Sequence, residues 1–517
     1  MRWIGPVLLA GLCGFVGRLA PAHEVAPAPR YSATEIDRWL IGEIRARSEI
    51  MKNLEYLSDR IGARLTGSAN LEKANQWTAQ RMKEYGLENV RLEPWEIPYG
   101  WERGKAEMKL VEPNTGRTLL IASRGWSPGT HGRITGDVVL LKARNKADLQ
   151  AYRGKLKNAV VLLQPPARVA PILDPTTLPK AKDEPKTDTA PRDPPQDTPR
   201  KDTPEEVSIG SWSDETRQPG GAFIRDVLAF LKEEGAACEV TDAGKPHGLL
   251  VTTGSWGTDR AAAEQGIARV FMAHEHYALL YRLASRDQEP TRVEVEITNT
   301  FIPGPITVYN TIGEVRGRDK PDEIVVVGAH LDSWELASGT TDNGTGSCVI
   351  LETARVVAQL ARAGQRPRRT IRFCLFSGEE QGLWGSRKYV EKYKADLPKH
   401  SVALVHDTGT GKVMGFGLQG RKTLLPYLEP HLESLKTLEG WRGLDLGRLG
   451  GTDHLPFEAA GVPGFACRQE MDEYRLTHHT QTDTFDKAKE ANLIQGAQVM
   501  AVTAVRIANL PELLPRK

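Results

Sequence analysis

The sequence is short of cysteine and of long apolar runs, and has almost no excess of charge of one sign. Five cysteines occur in 517 residues, at positions 13, 238, 348, 374 and 467, and no two form a Cys-x-x-Cys pair. That excludes a cysteine-ligated zinc site. Lys and Arg number 68 against 66 Asp and Glu, leaving a net charge of +2. Such a balance gives no reason to expect nucleic acid or an anionic membrane as partner. No stretch is long and apolar enough to cross a bilayer; the best, Ile4 to Val16, is too short. There is no G-x-S-x-G nucleophile elbow, no Walker phosphate loop and no H-E-x-x-H zinc helix, which removes three common hydrolase and nucleotide chemistries.

What is present begins with an address. Met1-Arg2 gives a positive start, the apolar run to Val16 follows, and Ala20-Pro21-Ala22 offers a small-x-small cleavage site. Residues 1–22 read as a Sec signal peptide, so the chain is expected outside the cytoplasm, secreted or periplasmic, with no membrane span after cleavage. Cys13 leaves with the signal. Export permits disulfides among the other four, but Cys348 and Cys374 lie in apolar patterns and read as buried free thiols.

The length predicts two or three units. Tyr31 to about Gly86 has helical spacing, broken at Thr66-Gly67-Ser68, and a β-rich stretch runs from Val90 to about Ile121. Residues 31–124 are read as the first part of one domain. Between about 125 and 290 the pattern is that of a small α/β insert, with buried strands at Val138–Leu141, Ala159–Leu163, Cys238–Val240 and Gly248–Thr252. Within it, 165–205 holds eleven prolines among Asp, Lys and Thr, a composition that buries too little apolar surface to offset its ordering entropy. It reads as a disordered loop. Residues 291–517 alternate strands and helices. Val293–Thr298 and Ile306–Ile312 look like sheet-edge strands, while Ile324–Gly328, Ile371–Phe376 and Val402–Val405 look like strands buried on both faces. The fold class expected is α/β, a doubly wound mixed sheet.

In open α/β sheets, sites form beyond the carboxyl ends of the strands. His330 and Asp332 follow the first buried strand, Glu379 and Glu380 the second, His406 and Asp407 the third. Imidazole nitrogen and carboxylate oxygen suit a borderline cation such as zinc. Asp332 is placed to accept the other ring N–H of His330 and fix its tautomer. Asp342 lies in the Gly-rich turn Thr341–Gly346 ahead of a helix, where a carboxylate can reach inward. Glu379 and Glu380 are adjacent and point differently, so one can ligate while the other handles a proton. His478-His479 offers a further imidazole from a late loop. Any one of these alone is unremarkable, and the weight rests on the set. His274-Glu275-His276 also looks metallic, but lacks i, i+4 spacing and reads as the start of a surface helix.

Four segments then carry a resemblance: VGAHLD (327–332), TDNGTG (341–346), FSGEEQG (376–382) and His479-Thr-x-x-Asp483-Thr484. Together they resemble the co-catalytic zinc aminopeptidases and carboxypeptidases, exopeptidases of clan MH. The insert resembles, more weakly, a protease-associated domain, on Gly154-Lys155-Leu156-Lys157 ahead of Ala159. The resemblance implies two zinc ions about 3.5–4 Å apart and a peptide substrate. It implies that His330 and Asp407 hold one ion, Glu380 and His479 the other, and that Asp342 bridges them. Glu379 would be the general base, and Glu379 and Asp332 the catalytic pair. A homodimer is also implied. Two readings compete: a glutaminyl-cyclase-like acyltransferase with one working zinc, and a non-catalytic binding protein of the same fold. Five filled ligand positions and a base argue against the second.

Overall fold

The computed structural model describes residues 31–169, 221–286 and 289–516, together with Met1. Nearly all of the expected signal peptide and of the proline-rich loop lies outside the described residues.

Two eight-stranded sheets organise the chain. The larger runs, edge to edge, Glu88–Ile97, Ile306–Val315, Arg369–Phe376, Lys320–His330, His400–Val405, Gly464–Gln469, Val413–Gly417 and Gly443–Asp445. Lys320–His330 is parallel to both of its neighbours, and His400–Val405 is parallel to Gly464–Gln469. The Glu88–Ile97 edge is antiparallel. The doubly wound mixed sheet expected from the sequence is thus found, and the alternation of side chains shows why. Val325, Val327 and Ala329 face a core shared with helices Thr345–Arg362 and Glu490–Ala508. Ile324 and Val326 face the opposite core, with Tyr389 of helix Trp384–Lys392 and Phe457 of helix His454–Ala459. A strand covered on both faces has no polar side to present, hence its unbroken β-branched run.

The second sheet runs Thr118–Leu119, Ala106–Glu112, Arg292–Ile297, Ile134–Leu140, Val160–Leu162, Cys238–Asp242, Ala268–Met272 and Ile121–Ser123. Three expectations are corrected here. Arg292–Ile297 lies inside the second sheet, between Ala106–Glu112 and Ile134–Leu140, and not at an edge of the main one. Its apolar–polar alternation specifies a half-buried strand without specifying its partners. Ile306–Val315 lies one place in from the edge. Gly248–Thr252 is no strand of either sheet, its one ladder contact being an isolated bridge from Val251 to Thr480. All four described cysteines are free and buried. Among the described residues, no helix is long and apolar enough to cross a membrane.

Candidate metal centre

The parallel register places three strand ends side by side: His330 pairs with Phe376, and Gly328 with Val405. The residues that follow each end therefore emerge on one rim. His330 is buried and its Nε2 lies 3.1 Å from Asp407 Oδ1 and 3.3 Å from Asp342 Oδ1. Asp342 sits in the tight turn Thr340–Gly344 that feeds the helix Thr345–Arg362. Its other oxygen, Oδ2, lies 3.3 Å from His479 Nε2, which is 2.8 Å from Glu380 Oε2. The two oxygens of Asp342 thus face two different histidines, each with a second carboxylate beside it. Glu379 Oε2 stands 4.0 Å from His330 Nε2. All six residues converge.

Direction bears on two ambiguities. His406 turns away into the core: its backbone carbonyl accepts from the Asn343 side chain, and burial lowers its imidazole pKa to about 4. Asp407 is the residue that faces the site. His478 stacks on His479 at 3.7 Å and reaches Asp342 Oδ2 at 3.7 Å, but the close contact to Glu380 belongs to His479.

Asp332 differs from its expected role. His330 Nδ1 lies 3.0 Å from the Asp332 backbone carbonyl, and the carboxylate is farther, at 3.6 Å. The carboxylate instead accepts the backbone N–H groups of Glu379 and Glu380 at 3.2 and 3.3 Å, and the Thr66 hydroxyl at 3.1 Å. Asp332 thus orients the Glu-Glu turn with its side chain and the His330 ring with its backbone. His274, Glu275 and His276 open the helix His274–Ala284, as the sequence suggests, and tie it to neighbouring segments. His274 pairs with Asp242, Glu275 accepts the N–H groups of His247 and Gly248, and His276 accepts that of Leu120.

Several supporting residues escaped the sequence reading. Asp483 accepts the backbone N–H groups of Thr341 and Asp342 at 2.5 and 3.1 Å, fixing the turn that presents Asp342. Its place in the His479-Thr-x-x-Asp motif was the available signal. Arg64, fully buried, donates to the carbonyls of Gly62, Leu331, Ser338 and Gly339, and so spans the loop joining His330 to Asp342. Asp453 is buried and accepts the Ser386 hydroxyl. The sequence marks the stretches that hold the last two, Gly62–Ser68 and Gly451–His454, without giving either residue a role, because most of their partners are distant along the chain.

The electrostatics call for positive charge. Burial raises the Glu379 carboxyl well above the ordinary range, against the pull of His330. Burial and then Asp342 push Glu380 up to about 7, and burial brings Asp453 to about 7 as well. Burial alone would strip the histidines, yet Glu380 and Asp342 raise His479 to about 10, and Asp407 and Glu379 raise His330. Carboxylates packed together out of water draw protons from wherever they can. Asp342 Oδ2 and Glu380 Oε1 are buried without a hydrogen-bond partner. Nitrogen and oxygen donors within a few ångströms of one another, orphaned acceptor atoms and unbalanced negative charge together fit cations of the zinc type.

Residues 310–504 match the model of peptidase family M28. Carboxypeptidase Q of Mus musculus is 28% identical over 503 residues, covering 96% of this chain and 92% of its own length. The human protein of that name is 27% identical over 501 residues, with coverage of 96% and 92%. Among solved structures, a peptidase M28 precursor from Shewanella amazonensis superposes with a TM-score of 0.72 at 24% identity, covering 93% of this chain and 98% of that one. A zinc aminopeptidase from Bacillus subtilis superposes with a TM-score of 0.57 at 20% identity, over 88% and 93%.

Proposed function

Given that residues 310–504 match the model of peptidase family M28, we propose that the protein is an exported zinc exopeptidase that hydrolyses the terminal bond of a peptide at a two-metal centre. The observation that carries this reading is the split of Asp342, with one oxygen toward His330 and the other toward His479. His330 and Asp407 would hold one zinc, Glu380 and His479 the other, with Asp342 common to both. When bound, zinc supplies Lewis-acid polarisation of the scissile carbonyl and acidifies water. Glu379 is the general base. Its carboxylate lies beside His330, its backbone N–H is fixed by Asp332, and burial raises its basicity. It takes a proton from water and delivers it to the departing amine nitrogen, a transfer worth about 10²–10⁴ in rate. Asp332 holds Glu379 and Glu380 in their separate directions through adjacent backbone amides. Export rests on the Met1–Ala22 pattern.

Glu379→Gln keeps the shape and removes the proton acceptor. The expected result is full zinc content, two per chain by elemental analysis, with kcat lowered by about 10²–10⁴ on a panel of blocked and unblocked peptides. The panel also separates a free-amine from a free-carboxylate requirement. A fully active Glu379→Gln enzyme, or wild-type protein with no zinc, would refute the assignment.

A further inference from the structure

The segment from Lys245 to Thr252 lies between two strands of the second sheet, Cys238–Asp242 and Ala268–Met272, yet several of its bonds go to the loop that carries His479. Lys245 is only 8% exposed, and its ammonium donates to the carbonyls of His478 at 2.7 Å and Arg475 at 3.0 Å. The backbone N–H of Thr252 donates to the carbonyl of His479 at 3.0 Å. Leu250 N–H donates to the Gln481 side-chain oxygen at 2.8 Å, and the Gln481 amide nitrogen donates back to the Gly248 carbonyl at 3.2 Å. Val251 bridges to Thr480. Each of residues 478–481 is therefore tied to this one segment.

His479 has a conformational need for such a hold. Its φ is 60°, in the left-handed region, and its ring is aimed from there at Glu380 and Asp342. For a residue with a Cβ that backbone is unfavourable, and it persists where its surroundings over-determine it. The loop's own bonds are local: Thr480 donates to the carbonyls of Leu476 and Thr477, which shapes the turn. The carbonyls of the two histidines themselves are taken up by the connection between two strands of the second sheet.

We infer that Lys245 is a positioning residue for one of the two metal positions, the second sheet holding His479 in its ligating conformation through the Lys245–Thr252 segment. This rests on the reading of His479 as a zinc ligand. The His330–Asp407 position makes no bond to that segment and stands apart from the effect. Coupling of this kind is reciprocal, so metal at His479 and Glu380 also stabilises the seating of the segment.

Equilibrium zinc titration of metal-free wild type, Lys245→Met, Lys245→Arg and Gln481→Leu tests it, with circular dichroism to establish folding. The wild type is expected to take up two zinc ions. In Lys245→Met one ion binds as in wild type and the other about 10–100-fold more weakly, as for lost outer contacts to a ligand. Lys245→Arg recovers part of the loss, since a guanidinium still donates to two carbonyls. Gln481→Leu shifts the same single position, and decides the matter alone if Lys245→Met does not fold. Two ions at wild-type affinity in the folded variants, or equal weakening of both, overturns the inference and leaves the proposed function standing. Wild-type protein that takes up fewer than two ions removes the metal pair itself.

Discussion

Arg64→Met should unfasten the centre from behind. The guanidinium is fully buried and donates four hydrogen bonds, to Leu331 and Gly339 at 2.6 Å, Ser338 at 2.9 Å and Gly62 at 3.0 Å. Bonds from a charged donor are worth about 1.5 kcal/mol each at the lower end, so the four sum to about 6 kcal/mol. Sparing the guanidinium its burial returns several kcal/mol, and the net loss expected is about 3 kcal/mol. Against a total stability of about 5–15 kcal/mol that is a large fraction. Urea unfolding of metal-free protein measures it without the added stabilisation of bound zinc. Because residues 331–339 join His330 to Asp342, zinc affinity should fall with stability. Arg64→Lys should recover only part, since three donors on one nitrogen cannot reach four carbonyls held around a planar fork. If Arg64→Met lay within about 0.5 kcal/mol of wild type, the range of an ordinary surface change, and bound zinc unchanged, the reasoning would fail.

Acid stability supplies a second expectation. His400 is buried and neutral, bonded through Nε2 to the Tyr389 hydroxyl and through Nδ1 to the Asp396 carbonyl, and burial lowers its pKa from 6.5 to about 4. The unfolded chain takes up this proton below about 6.5, whereas the folded chain resists it down to about 4, so stability falls across that window by about 3 kcal/mol from this residue. Urea unfolding between pH 7 and 4 should show a shallower decline in His400→Gln than in wild type; equal slopes would remove His400 as the cause. Metal removal gives a third expectation: a strong zinc chelator should abolish peptidase activity, and added zinc or cobalt should restore it. Activity that persisted in metal-free protein would contradict the centre.

His330, Asp342, Glu379, Glu380 and Asp407 were legible in the sequence because each follows a buried run or a glycine-rich turn, and a doubly wound sheet delivers all such ends to one rim. The helix Glu490–Ala508 went unread, since it is buried on nearly every side and shows no amphipathic stripe. Gly248–Thr252 looked like a strand from its apolar run, but several of its backbone groups bond to residues 479–481, a choice made by tertiary contact. The same holds for Lys245 and, apart from its bond to Gly62, for Arg64: their other partners lie more than two hundred residues away along the chain. The Asp332 correction has a simple origin. Two residues past a strand end, the backbone carbonyl comes nearer the imidazole than the side chain does, which leaves the carboxylate available for the next strand's turn.

The three strands ending at His330, Phe376 and Val405 are immediate neighbours, with that of His330 in the middle. Hydrogen bonding repeats adjacent strands about every 4.8 Å, whatever side chains they carry. The ladder therefore serves as a ruler for the fixed half of the centre, and repacking the core beneath it can change volumes without re-gauging His330, Glu380 and Asp407. Asp342 and His479 hang from turns and have no such ruler, so drift in this chain would be registered first at those two residues.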